Sequence, residues 1–224
     1  MIYIAHLYYD LMNLYGESGN IKALEHSLKV QKVKFKVDKL SINDKIDFNK
    51  YDLIYIGCGT EENELIVLKD ILKYKNKIKK YIESDKFILA TGNSLELFGK
   101  SIGDIEALDI FPYETKYLDK RIVGDYINKI SLLNDEVLGF QNRGSKIVYN
   151  LNPLFDNEVG VHYKNFYGTY LLGPILVRNP EFNKHISNKL IRSKNDKFKF
   201  KKYDYKLDKK AHDSYLQTYY SKED

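Results

Sequence analysis

The stretch FILATGNSLELFG, residues 87–99, decides the fold that we predict for this chain. Its apolar start, residues 87–90, is typical of a buried parallel strand, and Gly92 allows the positive φ of a sharp turn. The apolar residues that follow predict the first turns of a helix. Strand–turn–helix elbows carry the nucleophile in several enzyme classes, because the turn exposes a side chain beside helix amides. Gly92 has no side chain to expose, so an ordinary turn in an α/β sheet is the alternative.

Strand and helix patterns alternate before this elbow. Apolar or alternating runs predict three strands, at residues 2–5, 33–39 and 51–56. A helix is predicted from the cap Asn20, and a longer one over residues 62–84 with a break near its middle. Because helices separate the strands, the pattern favours an α/β fold with a mostly parallel sheet flanked by helices.

Short strand-like runs separated by polar turns follow Gly99, and they indicate an antiparallel excursion from the parallel sheet. These runs are residues 107–111, 122–130, 137–140 and 147–149. A last strand and turn over residues 166–172 closes the predicted core. Helices are predicted at residues 182–192 and 207–220.

The composition indicates one sizeable domain. The chain has 224 residues, of which 43% are hydrophobic, and we predict a domain over residues 1–192 with a short basic appendage over residues 193–224. Without an apolar run of about 18 residues or a signal peptide, we expect a cytoplasmic location and no membrane insertion. The single cysteine, Cys58, allows no intrachain disulfide, and the five histidines are scattered, so no metal or other cofactor is predicted.

The net charge of +5 is concentrated in one segment. Residues 193–210 contain eight lysines and three aspartates, which account for the whole excess. Aspartates interrupt the segment and no nucleic-acid-binding motif accompanies it. We therefore predict a solvated or partner-facing arm and no nucleic-acid site.

Glycines follow the strand at residues 51–56 directly, in the run Gly57-Cys58-Gly59-Thr60. Glycines just past the carboxyl end of a strand leave bare backbone amides where ligands bind in open α/β sheets. A simple loop is the alternative, and the residues alone leave both interpretations open.

Several stretches together resemble one family. They are HLYYDLMNLYGESGNI, GCGTEENE, GFQNRG and GTYLLGPILVRNP, which begin at residues 6, 57, 139 and 168. In this order they resemble class I glutamine amidotransferase domains of the cobyric acid synthase type, most closely the GatD subunits of lipid II isoglutaminyl synthase. The resemblance covers nearly the whole chain. It implies a flavodoxin-like α/β fold, a Mur-ligase-like partner subunit and a role in amidating the peptidoglycan precursor lipid II.

In that family an elbow cysteine attacks the carboxamide of glutamine, and a histidine transfers the proton. The family's elbow Gly-Ile-Cys-Gly-Gly-Tyr-Gln aligns with residues 90–96, which places Gly92 at the cysteine. Its late motif Gly-Thr-Tyr-Leu-His-Gly-Pro aligns with residues 168–174, which places Leu172 at the histidine. Loss of either catalytic residue removes most of the reaction rate, because the two act as a unit. Since both are replaced, the resemblance implies a catalytically degenerate subunit.

The resemblance also implies that part of the old pocket is retained. Glu96 stands where the family has a substrate-contacting glutamine, so its charge near the pocket would repel anions and puts glutamine binding in doubt. A small anion would be held by Arg121 and by the backbone amides of Gly57, Gly59, Asn93 and Ser94.

Three functions remain open. The first is a GatD-like subunit without glutaminase activity, kept as a binding or structural partner of a Mur-ligase-like protein. The second is an active glutaminase subunit that supplies ammonia through an unrecognised nucleophile. Cys58 belongs to the glycine loop with no predicted histidine beside it, and Thr91 and Ser94 have no obvious base. The third is a stand-alone module that binds a ligand in the old pocket.

Overall fold

A six-stranded sheet forms the centre of the computed structural model, which describes residues 1–130, 132–133, 135–148, 159–201 and 206–220. A second sheet has four strands. The strands are β1 (Ile2–Leu7), β2 (Phe35–Leu40), β3 (Leu53–Ile56), β4 (Phe87–Thr91), β5 (Ser101–Ile102), β6 (Ile105–Glu106), β7 (Glu114–Lys129), β8 (Glu136–Val148), β9 (Gly160–Tyr163) and β10 (Phe166–Thr169). The α-helices are α1 (Ser18–Val30), α2 (Glu61–Ile71), α3 (Lys75–Glu83), α4 (Ile175–Arg178), α5 (Pro180–Arg192) and α6 (Lys206–Tyr220).

The central sheet is parallel except at one edge. Its strand order is β2-β1-β3-β4-β10-β9, and β9 is antiparallel to β10. Every residue of β3, β4 and β10 is buried, as expected for strands with both faces covered. The five parallel strands have the flavodoxin-like order, so the predicted mostly parallel α/β fold is confirmed. The sequence does not predict β9, because its four residues are too few to show a period.

Strands β7 and β8 form a long antiparallel hairpin, which is the excursion that the sequence predicts. A β-bulge between Tyr117 and Ile122 interrupts its register. The predicted strand at residues 107–111 is wrong. This mostly buried segment is a loop, because all five of its backbone amides donate to carbonyls of residues 97–100. Tyr149, the predicted end of the last short run, lies outside the described residues.

The elbow after β4 has the predicted turn but not the predicted helix. Gly92 has φ +64°, in the left-handed region that favours glycine. A 3-10 segment of seven residues, Gly92–Phe98, replaces the expected α-helix and ends at Gly99. The hydroxyl group of Tyr113 donates to the carbonyl of Leu95 at 2.6 Å, and a Cβ on Gly99 would lie 2.6 Å from the Tyr113 ring. Close packing of this tyrosine therefore turns the chain away toward β5.

Helix α1 begins at Ser18, so the prediction that Asn20 caps it is wrong. Asn20 lies inside the helix and is fully buried. Its Nδ2 donates to the hydroxyl of Tyr55 at 2.8 Å and to the carbonyl of Gly173 at 3.1 Å, and its Oδ1 accepts from the amide of Leu176 at 2.9 Å. Asparagine favours helix caps, but Asn20 instead joins the first helix to the chain after β10 through these hydrogen bonds.

The carboxyl group of Glu17 lies beside Asn20 and is also fully buried. One of its oxygens accepts from the amide of Gly173 at 2.6 Å. The other is hydrogen-bonded by the hydroxyl groups of Tyr55 and Thr91. Burial raises the pKa of Glu17 to about 7, although these hydrogen bonds favour the ionised form. This carboxyl group ties together β3, β4 and the turn after β10.

Helices cover the sheet, and the long predicted helix is divided as expected. A 3-10 turn over Leu72–Tyr74 separates α2 from α3, which confirms the break. Within the part of the chain that the structure describes, no helix has both the length and the apolar character that a membrane span requires.

The first residues of the predicted basic appendage pack against the domain. The Nζ of Lys194 lies 2.6 Å from Oδ1 of Asp52, a buried carboxylate. Gln31 and Lys201 exchange two hydrogen bonds of 2.8 Å, and two phenylalanines of the segment contact the core. Residues 193–201 are therefore held at the surface of the domain.

We expect Ala90→Asp to destabilise the protein by about 3 kcal/mol or more, because it places a carboxylate inside β4, where every residue is buried. Urea denaturation measures the change in the free energy of unfolding. Ala211→Asp, at an exposed position of α6, is the matched control and should change that free energy by less than about 1 kcal/mol. An unchanged urea midpoint for Ala90→Asp would show that β4 is not central to the fold.

We expect Glu17→Gln to change the pH dependence of stability. In the unfolded chain this carboxyl group ionises near its ordinary pKa of 4.5, whereas the folded chain keeps the proton up to about pH 7. Its contribution to the free energy of unfolding is therefore full below about pH 4.5 and is lost as the pH rises through 7. Glutamine resembles the protonated acid and does not ionise, so the variant should gain up to about 3 kcal/mol relative to the native chain between about pH 4.5 and pH 8.

The measured quantity is the difference between Glu17→Gln and the native chain at each pH, from urea denaturation. The pH dependence of the native chain alone does not isolate Glu17. Burial lowers the pKa of His6 and of His185 to about 4, so these two groups make stability increase with pH, whereas Glu17 makes it decrease. A difference that stays constant across this pH range would contradict the assignment of the raised pKa to Glu17.

Candidate functional site

A cavity of about 80 Å³ opens at the carboxyl ends of β3 and β4, where ligands bind in parallel α/β sheets. The loop after β3 and the elbow after β4 form one side of it. The β7–β8 hairpin forms another side, and the segment after β10 completes it. The walls include residues 58–61, 92–93, 121, 142–145, 170 and 172.

Gly92 lies in the cavity wall and faces two side chains. A Cβ placed on Gly92 would lie 2.5 Å from the sulfur of Cys58 and 2.9 Å from Cδ2 of Leu172. Atoms in a packed protein do not approach so closely, so these two side chains occupy the space that a side chain at position 92 requires. Cys58 belongs to the loop after β3, yet its thiol group lies at the elbow.

The thiol group of Cys58 is not activated. Burial raises its pKa to about 12, and the carboxyl group of Glu17 adds to the increase. No histidine is among the described walls of the cavity. Because the thiolate is the reactive form, a protonated thiol without a base is a poor nucleophile at neutral pH. The described residues also contain no group of three or more His, Cys, Asp or Glu side chains that could hold a metal ion.

The loop and elbow positions predicted to hold an anion are not all at the cavity. Gly59 and Asn93 are walls, but the Gly59 amide donates to Oδ1 of Asn93 at 3.0 Å and is therefore already used. Gly57 and Ser94 are not among the described walls. Ser94 is fully buried, and its hydroxyl group lies 3.0 and 2.9 Å from two backbone carbonyl oxygens. The structure therefore brings together only part of this predicted set.

Arg121 lies in the wall, on the hairpin side. Its Nη1 is 2.6 Å from Oε1 of Glu61. Its Nε and Nη2 donate to the side-chain and backbone oxygens of Asn142 at 2.9 and 3.1 Å. The hydrogen bond from Arg121 lowers the pKa of Glu61, which keeps that carboxylate ionised. The charge of Arg121 is therefore already balanced within the protein.

Glu96 lies behind the cavity. It is 1% exposed and is not among the described walls, and its carboxyl group accepts a hydrogen bond from the hydroxyl of Ser145. Burial raises the pKa of Glu96 to about 7. Burial, together with the charge of Glu96, also raises the pKa of Glu64 well above its ordinary value. Any effect of the Glu96 charge on a ligand is therefore indirect, because the side chain of Ser145 lies between Glu96 and the cavity.

Two cavity residues, Arg143 and Tyr170, are absent from the predicted set. The guanidinium group of Arg143 lies 4.2 Å from the centre of the Tyr170 ring. Its Nε donates to Oε1 of Gln141 at 2.8 Å, and its Nη1 donates to the carbonyl of Ser145 at 2.7 Å. Both residues belong to quoted motifs, GFQNRG and GTYLLGP, and that membership is the signal that could have found them.

Known proteins are similar to this chain over most of its length. Residues 3–180 match the CobB/CobQ-like glutamine amidotransferase domain. The chain is 29% identical over 217 residues to the lipid II isoglutaminyl synthase (glutamine-hydrolyzing) subunit GatD of Staphylococcus aureus, covering 90% of this chain and 89% of that protein. It is 32% identical over 196 residues to the same subunit of Streptococcus pneumoniae, covering 79% and 75%. The chain therefore belongs to the CobB/CobQ-like family of glutamine amidotransferase domains.

Proposed function

We propose that this chain is a GatD-like subunit without glutaminase activity, which acts as a binding or structural partner of a Mur-ligase-like protein in lipid II amidation. Family membership and the two GatD relatives support the GatD-like part of the proposal. Both relatives are named as subunits, so the proposal gives this chain a partner and a cytoplasmic role on a peptidoglycan precursor. The proposal also keeps the division into a domain over residues 1–192 and an appendage over residues 193–224.

The observation that carries the proposal is the filled space at Gly92. In the alignment by resemblance, Gly92 stands at the family's nucleophile and Leu172 at its acid–base residue. Reaction at a carboxamide needs a thiolate and an imidazole at these two places. A carboxamide would instead meet the protonated thiol of Cys58 and a methyl group of Leu172. These surroundings support a pocket that does not hydrolyse glutamine.

A second candidate function is an active glutaminase that uses Cys58. One observation favours it: the Cys58 sulfur lies within the space of a side chain at position 92, in the wall of the same cavity. The raised pKa of the thiol and the absence of a histidine among the described walls count against it. Replacing Cys58 separates the two candidates.

We expect the purified chain to release no ammonia from glutamine above a buffer blank, alone or after co-expression with the Mur-ligase-like protein of its source. Without a thiolate and a proton-transfer group, the carboxamide is not attacked. A coupled glutamate dehydrogenase assay measures ammonia. Cys58→Ala is the matched variant, because it removes the sulfur and keeps the Cβ. Ammonia release that disappears in Cys58→Ala would establish the second candidate and refute the first.

We expect Gly92→Cys with Leu172→His to restore no glutaminase turnover unless Cys58→Gly is added. The new Cβ would lie 2.5 Å from the Cys58 sulfur, and the triple variant removes that clash. Melting temperature is the second measurement, and the double variant should melt lower than the triple variant. Glu96→Gln in place of Cys58→Gly is the control and should not help, because Glu96 lies behind Ser145. Equal melting temperatures and equal turnover in the double and triple variants would contradict the steric argument.

A further inference from the structure

Arg143 places a guanidinium group in the cavity wall, and its hydrogen bonds go to neutral oxygens. These acceptors are the side-chain amide of Gln141 and the backbone carbonyl of Ser145. A further side-chain hydrogen bond to the hydroxyl group of Tyr170 leaves two of the five N–H donors of the guanidinium group. Within the described residues, no carboxylate forms an ion pair with Arg143. A positive charge therefore faces the cavity without a direct counter-charge.

The position of Arg143 is partly buried, which makes the missing counter-charge significant. Burial lowers the pKa of Arg143, because its surroundings solvate the cation less well than water does. The guanidinium group lies over the ring of Tyr170, a cation–π contact that restricts its position. A fixed and poorly solvated cation gains more from an anion than a mobile one on the surface does.

Arg121, the other arginine of the wall, differs on each of these points. It is half exposed, and it already has the carboxylate of Glu61 at 2.6 Å. An anion at Arg121 would be repelled by that adjacent carboxylate, whereas no carboxylate forms an ion pair with Arg143 among the described residues.

The size of the cavity limits the ligand. About 80 Å³ is far below the roughly 300–1,000 Å³ of pockets that hold drug-sized molecules. The side chains of Cys58 and Leu172 further restrict the elbow side. A guanidinium group with free donors matches the planar, two-oxygen face of a carboxylate or a phosphate.

We propose that Arg143, and not Arg121, is the anion-binding residue of this cavity and that it takes a small oxyanion, a carboxylate or a phosphate group. The inference rests on the proposed function only in treating the cavity as a pocket that binds without hydrolysing. Anion binding is measured without turnover, so this inference and the proposed function fail in different experiments.

Charged and titratable groups around Arg143 give the binding a pH dependence. Helix α2 contributes Glu61 and Glu64, the elbow contributes Glu96, and the hairpin contributes Arg121. Cys58 and Tyr170 stay protonated near neutral pH, because burial raises both pKa values. Glu96 attracts the Arg143 charge when it is ionised and competes with a bound anion. Since the pKa of Glu96 is about 7, the affinity for acetate, which stays ionised in this range, should increase as the pH falls from about 8 to 6.

The test is a titration with acetate and with inorganic phosphate, followed through the arginine Nε–H signals in nitrogen-15 NMR spectra. Chloride at equal ionic strength is the control for screening. The Arg143 signal should shift and saturate with acetate, phosphate or both, and the Arg121 signal should not. Saturation by acetate alone identifies a carboxylate ligand, and saturation by phosphate alone identifies a phosphate ligand.

Arg143→Met keeps the apolar stem on Tyr170 and removes the charge, and it should weaken binding about 10-fold or more. Arg121→Met is the matched control in the same wall and should change affinity less than about 3-fold. A signal that saturates at Arg121, a greater loss of affinity in Arg121→Met, or no saturation by either anion would overturn the proposal. If Arg143→Met does not fold, the titration of the native chain decides the question, because it reports on both arginines directly.

Discussion

The buried carboxyl group of Glu17 is the constraint on which the site depends. Its two oxygens join the hydroxyl groups of Tyr55 and Thr91 to the amide of Gly173, which lies 156 residues further along the chain. A buried carboxyl group is tolerated where both oxygens are hydrogen-bonded, and the raised pKa reflects the remaining desolvation. Thr91 directly precedes Gly92, and Gly173 directly follows Leu172. The same group therefore fixes the two segments whose side chains meet at the elbow.

The sequence predicts the architecture well because the central strands have a simple local signal. Buried parallel strands are continuous apolar runs, and residues 53–56 and 87–90 show such runs directly. Gly92 also has a local signal, since its positive φ is accessible to glycine. Asn20 is different: its residue type suggests a cap, but its partners lie up to 156 residues away. The loop at residues 107–111 is apolar like a strand, and only its tertiary hydrogen bonds show that it is not one.

The candidate site is less predictable than the fold, because motif alignment gives positions and not the partners of each group. The alignment brings Gly59, Asn93 and Arg121 to the cavity. The Gly59 amide already donates to Asn93, and Arg121 already donates to Glu61 and Asn142. Glu96 is predicted at the cavity but lies behind its wall, whereas Arg143 lies in the wall but is not predicted. The first is a charged residue that is hidden behind Ser145, and the second is a hairpin residue that packing on Tyr170 turns into the cavity wall. Such outcomes depend on which atoms meet in three dimensions.

The β7–β8 hairpin is attached to the central domain by contacts of two different kinds. The backbone of Leu138 exchanges two hydrogen bonds of 2.8 Å with the buried side chain of Asn179, and the amide of Leu172 donates to Phe140 at 2.9 Å. Across the cavity, the hairpin meets α2 through the exposed ion pair of Arg121 and Glu61, and such pairs contribute about 0–1 kcal/mol. The hairpin is therefore held by buried hydrogen bonds on one side of the cavity and by a solvent-exposed ion pair on the other. Added salt therefore weakens the contact between the hairpin and α2, whereas the buried hydrogen bonds that attach the hairpin to the domain are screened much less.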